Sequence, residues 1–145
     1  MRGIEKLHPT IRAKAERLLA LCKEADLPVL ITETLRTREE QDALYAKGRT
    51  VPGPIVSWAR GTEYESPHQW GVAFDFCKNV KGKEYDDAKF FEAVGKLAES
   101  IGLTWGGRWE KKPDRPHLQD TALEWKTLKA KYGTPDAFIA TWGGK

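Results

Sequence analysis

The sequence predicts an α+β fold in which helices pack on a small antiparallel sheet, and three observations carry that prediction. Two segments, Ile11 to Ala25 and Asp86 to Ile101, repeat apolar residues at the helical period. Four short stretches, at 29–32, 71–76, 103–105 and 117–119, carry strand character between turn-forming residues. The chain has 145 residues and no internal repeat, which suits one domain spanning 1–145 with a single sizeable core.

Taken in order, Pro9 or Thr10 is placed to start the first helix, whose buried stripe is Ile11, Ala15, Leu18, Leu19 and Cys22. His8 reads as an exposed or capping residue. Asp26-Leu27-Pro28 ends that helix, and Val29-Leu30-Ile31-Thr32 is fit for a buried strand. Thr37 and Glu40 have the spacing of a capping box and open a second helix through Gln41, Leu44 and Tyr45 to Lys47-Gly48. Residues 49–65 hold Pro52, Gly53, Pro54 and Gly61 and predict a long irregular connection that walls a cleft, with Tyr64 and Trp70 packing beside it or lining it. Asp86-Asp87 starts a helix with a Phe90, Phe91, Val94, Leu97 and Ala98 stripe, ended by Gly102. Trp105 to Trp109 is a tight turn in which glycines allow close backbone approach. The tail, 121–142, carries Leu123, Trp125 and Leu128, then a short helix over Phe138, Ile139 and Trp142 after Gly133-Thr134-Pro135, and is expected to pack on the core.

Chemistry concentrates at Ser66 to Phe76. From Gly71 the pattern alternates: Val72, Phe74 and Phe76 form a bulky face, and Gly71, Ala73 and Asp75 a small one. A carboxylate among tiny neighbours has open space before it, and burying it without a partner would cost several kcal/mol. Gly71 lets the chain bend so that His68 reaches over the same face. In a strand at 117–119, His117 and Gln119 share a face while Leu118 points to the core. His68, Asp75 and His117 then make three protein ligands with a fourth position left to water, the form of a catalytic rather than a structural zinc site. Asp114 could serve there as general base, with Glu110 in reserve. Arg36, at a strand-to-helix junction, could offer its planar fork to a carboxylate or an oxyanion, and Ser66 could donate to substrate or cap a turn.

The ordered blocks 27–41, 44–49, S-x-H-x-x-G-x-A-x-D at 66–75, Trp105-Gly106-Gly107 and Asp114-Arg115-Pro116-His117 resemble the zinc peptidases of the D-alanyl-D-alanine carboxypeptidase and L-alanyl-D-glutamate peptidase family, which includes many phage endolysins. The resemblance spans nearly the whole chain. It implies a zinc peptidase fold of the D-Ala-D-Ala peptidase/Hedgehog type, one zinc ion on His68, Asp75 and His117, Asp114 as catalytic base, and substrate contacts from Arg36 and Ser66. The implied substrate is the peptidoglycan stem peptide. The 44–49 block resembles the phage L-alanyl-D-glutamate endopeptidases more than the D-Ala-D-Ala carboxypeptidases, the alternative; a zinc-containing, non-catalytic binding module is the rival of another class. Two departures stand out: Leu118, where an aromatic is usual, and Cys77, close behind Asp75.

Composition excludes some partners. With 24 basic against 21 acidic residues the net charge is +3, and no basic block marks a nucleic-acid interface. A mild positive bias favours approach to an anionic polymer such as a cell wall. Met1 to Lys6 holds no apolar signal core and nothing approaches a membrane span. The expectation is a monomer that accumulates in the cytoplasm, does not insert into membranes, and meets the wall after release. Cys22 and Cys77 read as small buried hydrophobes.

Overall fold

The computed structural model of the protein describes residues 1–143. Helix α1 (Pro9–Glu24) leads to strand β1 (Val29–Glu33), helix α2 (Arg38–Ala46), strand β2 (Ala73–Lys78), helix α3 (Ala88–Ser100), strands β3 (Leu103–Trp105) and β4 (His117–Asp120), and helices α4 (Trp125–Tyr132) and α5 (Pro135–Ile139). The strands form one antiparallel sheet in the order β1-β2-β4-β3, so two segments distant in sequence, β2 and β4, lie side by side at its centre. The expected α+β architecture is the one observed.

The period of two decides which face does what. Phe74 pairs with Leu118 across β2 and β4, and both are fully buried with Phe76 beneath α1 and α3. Those helices supply Ile11, Ala15, Leu18 and Cys22, and Phe90, Phe91, Val94 and Ala98. Truncating one of these phenylalanines to alanine would cost about 3–5 kcal/mol, a large share of a domain's stability. Their neighbours Ala73, Asp75, His117 and Gln119 therefore occupy the opposite face, with Asp75 directly across from His117 and Ala73 from Gln119.

Local chemistry fixes the element ends. Thr37 and Glu40 form a reciprocal capping box at α2, Asp87 caps α3, and His8 caps α1 by accepting from Thr10 N. Strand β1 departs from expectation: it lies on the sheet edge and is only half-buried throughout, because just one neighbour covers it. Trp105 to Trp109 is a single 3-10 turn over Gly106–Arg108. The tail does more than cover the main core. Leu128 of α4 and Phe138 of α5 build a second apolar cluster with Trp70 and Val72, which buttresses the turn before β2. Gly71, at φ +68, completes that turn; a Cβ there would lie 2.5 Å from the Trp142 ring. Cys22 and Cys77 are free and buried. Among the described residues no helix is long and apolar enough to cross a membrane.

Candidate metal centre

His68 sits on a 3-10 turn, Pro67–Trp70, whose first residue follows the capping Ser66: the His68 amide donates to Ser66 Oγ at 3.3 Å. Ser66 is buried and takes the capping role at this turn. The segment after β1 is fastened to the same turn, because Arg36 N donates to His68 O at 3.0 Å. His68 Nδ1–H donates to the Thr34 carbonyl at 2.9 Å, and Thr34 is itself wholly buried, its hydroxyl donating to Gly3 O at 3.0 Å. On β4, His117 Nε2–H donates to Gln119 Oε1 at 2.8 Å.

These outer hydrogen bonds decide the tautomers. Each imidazole spends its N–H on an acceptor, so the lone pairs of His68 Nε2 and His117 Nδ1 turn inward, where they lie 3.2 and 3.3 Å from Asp75 Oδ1. Three electron-pair donors thus converge within 4.8 Å of one another. Such a cluster is repulsive unless a cation sits among them. Two ligand bonds of roughly 2.0–2.1 Å at a tetrahedral angle separate the ligand atoms by about 3.3 Å, so the spacing of each imidazole nitrogen from Asp75 Oδ1 fits zinc. Two histidines and a carboxylate are a donor set that zinc accepts, and three ligands leave one position open.

The protonation energetics agree. Burial pushes the Asp75 carboxyl up, but His68 and His117 outweigh it and hold the group well below the usual carboxylate range. Burial lowers the His117 pKa and is outweighed in turn by Asp75, leaving it raised. The site is therefore built to hold positive charge.

Arg36 reaches Asp75 Oδ2 at 3.8 Å, beyond direct hydrogen bonding, and its Nη1 donates to Gln41 Oε1 at 2.7 Å. Gln41 is completely buried; its amide nitrogen donates to Ser57 Oγ and Ala59 O, each at 2.8 Å. Arg36 is thereby braced against the loop before Ser66. Asp114 is exposed at the rim of the same cleft as the triad. Desolvation, helped by Asp75, raises its carboxyl pKa against the pull of His117, His68 and Arg36. Asp114 N donates to Gly106 O at 2.9 Å, and a Cβ on Gly106 would lie 2.4 Å from Asp114 O, so glycine is required where the two segments touch. Glu110 is exposed and does not itself line the cleft, although its neighbours Trp109 and Lys111 do.

The cleft, about 810 Å³, brings together Arg36, Ser66, His68, Asp75, Asp114 and His117. The sequence offered no signal for the supports Thr34 and Gln41 or for the aromatics that line the cleft, while the packing role read for Trp70 is the one observed. Trp70 is wholly buried, its Nε1 bonded to Tyr64 O, whereas Trp58, Tyr85 and Trp109 line the cleft. A clue existed for Gln119, on the face of His117; none existed for a backbone carbonyl such as Thr34 O.

Comparison with known proteins agrees with this geometry. Residues 59–120 match the family described as D-alanyl-D-alanine carboxypeptidase. The chain is 39% identical over 124 residues to the peptidoglycan L-alanyl-D-glutamate endopeptidase CwlK of Bacillus subtilis, covering 78% of this chain and 72% of that protein. It is 34% identical over 121 residues to the L-alanyl-D-glutamate peptidase of Listeria phage A118, covering 81% of this chain and 39% of the phage protein. A mutant of the vancomycin-resistance D,D-pentapeptidase VanY, solved with Zn(II), shares the fold at TM-score 0.60 and 14% identity, over 92% of this chain and 83% of that one. A relative this similar, matched over most of its length, establishes kinship: the chain belongs to the D-alanyl-D-alanine carboxypeptidase and L-alanyl-D-glutamate peptidase family of metallopeptidases.

Proposed function

We propose that the protein is a zinc-dependent L-alanyl-D-glutamate endopeptidase that cuts the stem peptide of peptidoglycan, acting as an endolysin-like lytic enzyme. The observation that carries this reading is the convergence of His68 Nε2, His117 Nδ1 and Asp75 Oδ1, with both outer imidazole nitrogens already committed. The choice of bond rests on the two relatives named for it. His68, Asp75 and His117 would hold the ion, which would supply Lewis acidity to polarise the scissile carbonyl and to lower the pKa of water toward about 7.

The chain's own groups do the rest. Asp114, on the rim, accepts a proton from the attacking water and returns it to the leaving amide nitrogen, so the C–N bond breaks with a neutral amine departing. In a stem peptide the D-glutamate continues through its γ-carboxyl, which leaves its α-carboxylate one carbon from the scissile nitrogen. Arg36, only 11% exposed at its side chain and braced by Gln41, is suited to bind that carboxylate. Ser66 holds the His68 turn and can still donate its hydroxyl proton into the cleft.

Digestion of purified wall by the zinc-loaded protein, followed by identification of the new termini, tests the reading. New amino-terminal D-glutamate is expected. Release of free D-alanine alone would refute the endopeptidase and point to a carboxypeptidase.

A further inference from the structure

Exposed aromatic rings are unevenly distributed on this molecule. Among the described residues, Trp58, Tyr85 and Trp109 are the aromatic side chains left exposed, at 61%, 58% and 37%, and all three line the cleft that holds the metal triad. Every other described aromatic is at least half-buried. Leaving an aromatic ring in water forgoes a favourable burial, so three such rings around one cleft call for an apolar partner there.

Trp58 is held in place before any ligand arrives. Lys112 Nζ covers one face of its ring at 3.6 Å from the centroid while the residue stays 61% exposed, the Arg49 guanidinium lies 5.4 Å from the centroid, and Gln41 secures the residues on either side through Ser57 Oγ and Ala59 O. Such bracing lowers the ordering cost of stacking a ligand on the ring. The stem peptide itself offers little to these rings: its first two residues are a methyl side chain and a carboxylate. The neighbour of that peptide does. In peptidoglycan the L-alanine is acylated by the lactyl group of an N-acetylated amino sugar, which begins one residue from the scissile carbonyl. A pyranose presents a flat face of C–H groups to the electron-rich face of an aromatic ring, and its acetamido carbonyl can accept from a lysine.

On the reading of the substrate given above, we propose that the aromatic rim, with Trp58 as its principal platform, binds the amino sugar attached to the stem peptide, so that the enzyme prefers glycan-linked stems to sugar-free ones.

Two soluble substrates with the same peptide test this, one a disaccharide-linked stem and the other the same stem capped by N-acetylation, so that both lack a free alanine amine. The ratio of their kcat/KM values is read for the zinc-loaded wild type, Trp58→Ala and Trp58→Phe. The wild type is expected to prefer the disaccharide-linked stem by about tenfold, the size of one good aromatic contact, mainly through KM. Trp58→Ala should bring the ratio toward one, and Trp58→Phe should restore most of it. A wild-type ratio near one, or a ratio that Trp58→Ala leaves unchanged in a protein with the wild-type melting temperature, overturns the proposal while leaving the peptidase assignment standing. Cleavage of neither substrate by the wild type overturns the peptidase reading and the sugar platform with it.

Discussion

Replacing Gln41 by leucine isolates the part of the site that no metal analysis would detect. Gln41 is fully buried and makes three hydrogen bonds: it accepts from Arg36 Nη1 at 2.7 Å and donates to Ser57 Oγ and Ala59 O at 2.8 Å. The bond to the guanidinium is charge-assisted and worth about 1.5–3 kcal/mol, and the two neutral bonds about 1 kcal/mol each. Leucine fills a similar volume but offers no partner, so the loss is about 4 kcal/mol. For a domain of this size each kcal/mol moves Tm by about 2–4 °C, which places the expected drop near 8–16 °C. Arg36 would lose its brace, and kcat/KM for stem-peptide cleavage should fall by tenfold or more while zinc content stays near one per chain. Gln41→Glu separates the two effects: its carboxylate keeps Arg36 paired but loses the donors to Ser57 and Ala59. Calorimetry, zinc analysis and steady-state kinetics on both variants form the assay. A Gln41→Leu protein that melts within about 2 °C of wild type and retains full activity would refute the argument that this glutamine orders Arg36 and the loop.

Four further outcomes follow from the same geometry. Chelation should abolish peptide cleavage and zinc should restore it, measured as release of amino-terminal D-glutamate; activity that survives a metal-free preparation counts against the mechanism. Asp114→Asn should lower kcat by about 10²–10⁴ with metal content unchanged, since it removes a proton acceptor but no ligand; Gln119→Leu should do the reverse, weakening zinc affinity about 10–100-fold by freeing the outer nitrogen of His117. Metal-free protein should lose thermal stability as pH rises through the elevated pKa of His117, because a folded-state pKa above the unfolded value stabilises only while the proton is bound. The zinc-loaded protein should not show that decline, since the ion takes the place of the proton, and parallel Tm curves with and without zinc from pH 6 to 9 provide the check.

The relation of the open cleft to the fold explains why the site is assembled as it is. Strands β2 and β4 meet at the centre of the sheet, where backbone pairing holds Asp75 and His117 opposite each other. His68 arrives from a turn held by hydrogen bonds to Thr34 and Arg36 and by the second apolar cluster. Rigid elements thus supply the candidate metal ligands, while the irregular loop carrying Trp58 and the segment carrying Asp114 supply the walls. Of the two anticipated oddities, Leu118 is wholly buried beneath the sheet and does not shape the cleft, and Cys77 is buried outside the cluster of metal-ligand candidates.

Sequence alone determined whatever depends on neighbours along the chain: the helical stripes, the Thr37–Glu40 capping box, the alternation that separated Asp75 from Phe74 and Phe76, and the pairing of His117 with Gln119 on one strand face. It also offered the ligand types and the motif that grouped them. Tertiary structure decided everything set by contacts between distant segments. Strand order placed Asp75 against His117; a carbonyl at Thr34 fixed the tautomer of His68; Gln41 tied Arg36 to the loop at 57–59; and Trp58 rather than Trp70 was left at the cleft. The reason is physical: periodicity and capping act over one or two turns of chain, whereas the direction of a lone pair or the exposure of a ring depends on which remote surface packs against it.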